Sequence, residues 1–451
     1  MAEVDAQIIL RMGSHSEKEY LEKLIHMFDG VSIGANLVEA TPGATASLLV
    51  KISGKKKQIP FYFDPMTYAY GSYVDPQTGK VRNDLDWIKS DQKKKGQTVR
   101  DFKSSYRKLA DALGPPFDTA LARKSAITPK DFATPDVLGK TCESIASYQL
   151  TRLRDEFAND PEYAQFADSV PAPQVVFAPY FYIEPSQHDA WLDLTLRMAA
   201  ETARLGLASP THMVLCAPDH YLANDKFLRA LASEIPKTGV AGAWLWFSRF
   251  DEYTAEAGEL KALRRLVEEL SKSVKVFNMH GSFFSLALSK LGLSGISHGV
   301  GYGEQKDVVP VIGQSTPTVR YYLPTLRRRL SVPEIERCFR GLGIKSPRDF
   351  YALICDCAIC KGVITKDLAQ FAEFGERHFS TPSSKRLAQT PAAAKRCRFH
   401  YLLNRNRERS WVRQADINDI LERLRSAAER WKLTTLSPQA QRLLIWESVL
   451  R

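Results

Sequence analysis

Short apolar, β-branched or aromatic runs recur along the chain, at 7–10, 47–52, 59–63, 174–183, 213–217, 243–247, 274–279 and 308–312. Between several of them lie longer stretches in which apolar positions return every three or four residues, at 17–27, 188–204, 255–271 and 284–291. The first pattern is that of a buried strand, the second that of a helix with one apolar face. Strand followed by helix, repeated, predicts parallel strands joined by crossover helices. Eight strands in 451 residues suit a (β/α)8 TIM barrel better than an open sheet. In such a barrel chemistry sits on the loops that follow the strands, so the residues closing each apolar run become the first candidates.

Two regions break the rhythm. Residues 72–173 hold much charge and many helix formers but no clear strand, which predicts a large helical insertion. From about 331 the pattern becomes helical around a group of cysteines and includes an amphipathic run at 415–432. The expected division is a barrel domain over 1–330 and a basic, zinc-binding helical subdomain over 331–451. No internal repeat is visible.

A hydrophobic content of 44% predicts a globular protein with a sizeable core. No apolar run approaches the roughly 20 residues that span a bilayer, so no membrane partner is expected. The acidic start, Met1-Ala2-Glu3-Val4-Asp5, is unlike a secretory signal. The seven cysteines are an odd count, three of them clustered, which points away from a disulfide scaffold and towards a cytoplasmic setting. The formal charge of +11 favours a polyanionic partner. Its cations gather in three places: Lys93-Lys94-Lys95 with Arg100, Lys103 and Arg107; Arg327-Arg328-Arg329; and a run from Lys385 to Arg413. Any one run is ordinarily a solvated face, but three together favour nucleic acid.

Cys355, Cys357 and Cys360 crowd into six residues. Thiolates this close are placed to share a soft metal ion, and three cysteines with one histidine complete a structural zinc site. Two histidines follow: His378, 18 residues after Cys360, and His400, 40 residues after it. The segment 380–394 is rich in Ser, Thr, Pro and Ala and reads as a loop insertion. Because loop closure grows costly only slowly with length, His400 is favoured as the fourth ligand, with His378 the alternative.

Among the strand ends, Phe61-Tyr62-Phe63-Asp64 stops at a carboxylate and is followed by Tyr68 and Tyr70, whose faces suit a flat base. Asp219-His220, Phe250-Asp251 and His280 close other apolar runs. Gly295 to Glu304, with His298, reads as a tight glycine-rich loop that brings backbone near a ligand, but it lacks the spacing of a phosphate loop. Each such residue alone is more often a cap or a core polar group. Their shared placement is what singles them out.

A barrel, a strand-ending Asp64 and a late Cys355-x-Cys357-x-x-Cys360 followed by histidine resemble the tRNA-guanine transglycosylase superfamily. Tyr322-Leu-Pro-Thr-Leu-Arg327 is loosely similar to that family's Leu-Pro-Thr-Arg run. The resemblance implies a barrel with a Cys3His zinc subdomain and exchange of a guanine in a polynucleotide for a 7-deazaguanine. The family's Asp-Ser-Gly-Gly-Phe-Gln run is here Asp64-Pro-Met-Thr-Tyr-Ala, so only the aspartate carries over, with Tyr68 in the base-stacking place. No Phe-Asp pair stands where the family keeps its nucleophile. These departures and the basic insertions look most like the DNA-modifying branch that handles 7-cyano-7-deazaguanine-type bases.

The chemistry expected from that resemblance needs two carboxylates, one to trap C1′ and one to manage protons on the bases. Asp64 is the expected proton manager and Asp251 its expected partner, with Tyr68, His298 and Glu304 at the base. DNA is favoured over tRNA, with partner proteins to open the duplex as a further expectation. The alternatives are a tRNA enzyme and a non-catalytic nucleic-acid-binding zinc subunit.

Overall fold

The computed structural model describes residues 6–54, 59–75, 77–301, 306–309, 318–379 and 387–451. Eight strands form one parallel sheet: β1 Gln7–Met12, β2 Gly30–Gly34, β3 Phe61–Asp64, β4 Val176–Phe177, β5 Thr211–Pro218, β6 Gly242–Ser248, β7 Lys275–Asn278 and β8 Leu293–His298. Strands that follow one another in the chain lie side by side, and β1 pairs with β8. At the remaining seam, between β3 and β4, the Gln174 N–H donates to the Phe61 carbonyl at 2.6 Å. The result is a nearly closed, TIM-like barrel.

Every residue of β5 and of β6 is buried, as expected for parallel strands covered on both faces. Aromatic rings fill the barrel interior: Trp244 stacks on Phe277 with centroids 4.7 Å apart and meets Tyr62 and Phe177 edge-on. The Trp244 indole N–H donates to His212 Nδ1 at 3.0 Å. Burial lowers the pKa of His212 to about 3, so this ring is neutral at physiological pH.

Five predicted strands lie at or near their places, but 174–183 contributes only two residues to the sheet. The run 47–52 is instead part of the helix Pro42–Ser53, which buries Thr45, Ala46, Leu48, Leu49 and Ile52 on one face. Short apolar runs fit either period, and Pro42 at the first helical turn decides this one. Two barrel strands escaped the pattern because glycines interrupt them. In β2, a Cβ on Gly30 would stand 2.8 Å from the Tyr62 ring. In β8, a Cβ on Gly295 would stand 2.8 Å from the Gln7 carbonyl, so the expected tight loop is, through His298, a strand whose glycine allows close strand approach. Val308 and Val309 are not in a strand, and the rest of 308–312 lies outside the described residues.

The insertion is mainly helical, with Ser104–Leu113, Phe117–Arg123 and Pro135–Ala158, but it also holds two antiparallel hairpins, Tyr73–Val74 with Val81–Arg82 and Lys89–Lys94 with Gln97–Phe102. The second hairpin is mostly polar on both faces, which hid it from an apolar-pattern search.

Beyond the barrel, the hairpin Tyr321–Leu323 with Arg328–Leu330 leads into helices that include Val332–Phe339, Ala358–Val363, Pro391–Gln414, Ile417–Trp431 and Ser437–Leu450. The expected loop at 380–394 is replaced from Leu387 by a short strand and then by the 24-residue helix Pro391–Gln414, capped by the Thr390 hydroxyl. Polar ties fix these helices to the barrel. Arg409 pairs with Asp29 at 2.5 Å, and Asp29 also accepts the Ile8 N–H of β1 at 2.9 Å. The Trp446 indole donates to the Glu252 carbonyl at 2.9 Å, after β6. Among the described residues, no helix is long and apolar enough to cross a membrane.

Candidate functional site

Cys355, Cys357, Cys360 and His400 come together, all buried, with their ligand atoms within 4.8 Å of one another. Cys357 and Cys360 lie at the start of the helix Ala358–Val363, and His400 projects from the middle of Pro391–Gln414. His400 Nδ1 stands 3.3 Å from the Cys357 sulfur, 3.4 Å from that of Cys360 and 4.0 Å from that of Cys355. Neighbouring S and N corners around a tetrahedral zinc are about 3.6 Å apart, given bonds of about 2.3 and 2.0 Å. The donor set and its spacing are compatible with a zinc site.

The surroundings orient the same four atoms. His400 Nε2 donates to the Tyr322 carbonyl at 2.6 Å, which fixes the tautomer that leaves Nδ1 facing the sulfurs. The Tyr321 hydroxyl approaches the Cys360 sulfur at 3.2 Å, and its ring stacks on the imidazole at 4.1 Å. Backbone N–H groups of Cys357 and Cys360 point at the sulfurs of Cys355 and Cys357. His378 lies elsewhere, exposed in the hairpin Arg377–Phe379 with Leu387–Gln389.

At the C-terminal end of the barrel, Asp64 closes β3 and is almost wholly buried, at 1% exposure. Its Oδ1 accepts the Tyr180 hydroxyl at 2.7 Å and the Met66 N–H at 3.0 Å. Its Oδ2 has no hydrogen-bond partner among the described residues and faces the Arg11 guanidinium at 3.6 Å. Burial raises the Asp64 pKa, and the opposing pull of Arg11, Tyr180 and Met66 does not cancel it.

Arg11 and Met66, both in contact with the Asp64 carboxyl, line a cavity of about 300 Å³ walled by Tyr68, Trp87, Tyr106 and Trp246, with Asp307 also among its polar groups. Tyr68 stacks on Tyr180 at 5.5 Å and meets Trp246 edge-on at 4.9 Å. Asp307 accepts the Ser248 hydroxyl at 3.2 Å and the Val309 N–H at 3.1 Å, and its other oxygen is 3.9 Å from Arg249.

Asp251 and His298 line a second cavity, of about 240 Å³, with His280 and Lys306. Burial pushes the Asp251 carboxyl up, but Lys306, bonded to it at 2.8 Å, brings it below its ordinary range. The structure therefore groups Tyr68 with the Asp64 corner and Asp251 with His298. Glu304 lies outside the described residues. Asp219 turns back to accept the N–H of the next residue, His220, at 2.9 Å, just after β5.

Arg11, Tyr180 and Asp307 were missed in the sequence. Arg11 had a legible signal, a charge inside the apolar run of β1. Tyr180 was one aromatic among many in 174–183, and Asp307 follows no strand.

The basic runs differ in placement. Lys93, Lys94 and Lys95 are exposed on the charged hairpin, and Lys103, just beyond it, lines the aromatic cavity. Arg327 is buried, paired with Glu408 at 2.8 Å and lying over the Phe283 ring. Arg405 and Arg409 are likewise buried, so much of the third run holds the helices together rather than facing solvent.

No protein-family model matches the chain, and none of the curated proteins matches it.

Proposed function

We propose that the protein is a base-exchanging transglycosylase, a pentosyltransferase that replaces a guanine in nucleic acid with a 7-deazaguanine of the 7-cyano type, DNA being the favoured substrate over tRNA. One observation carries the reading: a buried carboxyl at the end of a barrel strand, Asp64, whose Oδ2 has no hydrogen-bond partner among the described residues and faces Arg11, a residue that lines an aromatic-walled cavity. Four rings suit the two faces of a flat base taken out of the stack. A carboxyl whose pKa is raised by burial suits proton transfer to a leaving or entering base.

The second carboxylate in this scheme is Asp307, which shares the cavity with Tyr68, in place of Asp251. In the first step an Asp307 oxygen bonds to C1′ as the N-glycosidic bond breaks, and guanine leaves with a proton managed by Asp64. The incoming base then displaces the carboxylate, restoring it. The Cys3His group is assigned a structural zinc that supports the C-terminal helices and takes no part in these steps. The charged hairpin 89–102, beside the cavity, supplies phosphate contacts, which are salt-sensitive and indifferent to sequence.

The test is release of labelled guanine from DNA and from tRNA in the presence of a 7-deazaguanine and zinc-loaded protein. Release from DNA supports the reading, release from tRNA alone moves the substrate to RNA, and release from neither points to a nucleic-acid-binding role.

A further inference from the structure

The second cavity is built unlike the first. It lies where β7 and β8 end: His298 is the last residue of β8, and His280 stands two residues past β7. The helix Pro391–Gln414 contributes Tyr401 and Arg405 to its wall. Lys306, Arg320, Arg328 and Arg329 line the rest, and the one carboxylate in the lining, Asp251, is already paired with Lys306.

Polar nitrogens are left over there. Among the described residues, His298 Nε2, both ring nitrogens of His280, and Nε and Nη2 of Arg405 are buried without a hydrogen-bond partner. His298 is 6% exposed and Arg405 1%. Unsatisfied buried polar atoms cost free energy. Nδ1 of His298 donates to the Gly299 carbonyl at 3.3 Å, so Nε2 of the neutral ring is an acceptor, and neutral His280 has one N–H; with Nε and Nη2 of Arg405 that leaves three donors for a ligand that accepts hydrogen bonds. Burial and neighbouring cations hold both histidines well below their ordinary pKa, so an empty cavity keeps them neutral.

The charge balance selects the ligand. Lys306 is paired with Asp251 and Arg405 with Glu408 at 2.6 Å, and with three further arginines the lining stays net positive, which disfavours a metal ion and favours an anion. The donors come from the end of β7, the 320–329 hairpin region and a helix, so they converge from several directions. That arrangement suits a tetrahedral oxyanion, with arginine forks on its edges. Barrels of this class frequently bind phosphate at the loops after their seventh and eighth strands.

We infer that this cavity is a phosphate-binding site, separate from the aromatic cavity beside Asp64. The site stands whether or not the chain exchanges bases. Rings hold the guanidinium groups in place: Arg329 lies 3.8 Å over Tyr401 and Arg328 5.6 Å over Tyr253. Such preorganised donors lose little freedom on binding.

The test titrates inorganic phosphate into the full chain by calorimetry. Saturable binding at one site per chain is expected. His298→Gln and Arg328→Gln should each weaken it at least tenfold, while Arg430→Gln, in a different cavity, should leave it unchanged. Should His298→Gln fail to fold, the exposed Arg320→Gln replaces it, with a circular-dichroism melt as the check on folding. Absence of saturable binding, or binding that all variants retain, overturns the inference. Competition then tells the source, and each result upholds the site. Displacement by an oligonucleotide lacking a terminal phosphate identifies backbone phosphates, displacement only by its 5′-phosphorylated form a terminal phosphate, and displacement by neither a small phosphorylated molecule.

Discussion

His400 donates its Nε2 proton in a hydrogen bond to the backbone carbonyl of Tyr322, and so presents Nδ1 to three sulfurs at and just before the start of a different helix. That single bond ties the choice of tautomer to the hairpin leading out of the barrel. Zinc content should be one per chain, and His400→Ala or Cys357→Ala should lose it. Since metal binding free energy is in part folding free energy, unfolding of either variant should come about 4 kcal/mol or more easier, read by denaturant titration. His378→Ala should keep its zinc and change stability by no more than about 0.5 kcal/mol.

Asp64→Asn separates chemistry from folding. The native environment raises the Asp64 pKa through burial, so the charged form is disfavoured in the folded state relative to the unfolded chain. Any stability the carboxyl gives is present at low pH and is lost as pH rises through the folded value. At neutral pH the neutral asparagine should therefore melt at the same temperature or higher. Base exchange should fall by about 10²- to 10⁴-fold, the usual weight of a general acid or base.

Asp307 and Asp251 make opposite predictions. Asp307 shares the aromatic cavity with Tyr68, whereas Asp251 is engaged by Lys306 in the neighbouring one. Asp307→Asn should remove exchange by about 10³-fold or more and prevent trapping of a covalent protein–nucleic acid adduct, checked on a denaturing gel. Asp251→Asn should leave turnover within a few-fold.

His212 sets an acid limit on stability. Its folded pKa is about 3, far below that of the unfolded chain near 6.5, because the barrel interior desolvates it. The unfolded state therefore takes up a proton first as pH falls, and stability declines through that window by about 1.4 kcal/mol per pH unit for this one group. In urea unfolding at a series of pH values, His212→Gln should show a shallower decline by about one proton. An unchanged slope would mean that His212 does not titrate between the two states.

How much of this was legible beforehand depends on what each residue's type announces. The three cysteines identify themselves because thiols rarely crowd without a shared ligand, and His400 followed from chemistry rather than distance in sequence. Asp64 was visible because it ends an apolar run abruptly. By contrast β2 and β8 carry glycines demanded by neighbours that are distant in sequence, Tyr62 and Gln7, so no local pattern could reveal them. The hairpin 89–102 has no buried face along most of its length and so no alternation to read. Asp307 became visible only when the chain after β8 was seen to fold back over Ser248. The division of Asp64 and Asp251 between two cavities is likewise a fact of packing, which strand-end logic alone treats as one mouth.

Tyr322 serves two neighbours at once. Its carbonyl holds the imidazole of the cysteine cluster, and its side chain lines the cavity of unsatisfied donors. Two occupancies that share a residue are bound by thermodynamic reciprocity: by whatever factor a metal on one side alters the hold on an anion on the other, the anion alters the hold on the metal by the same factor. A zinc on one side and an anion on the other would thus meet at one residue, and any coupling through it would run equally in both directions.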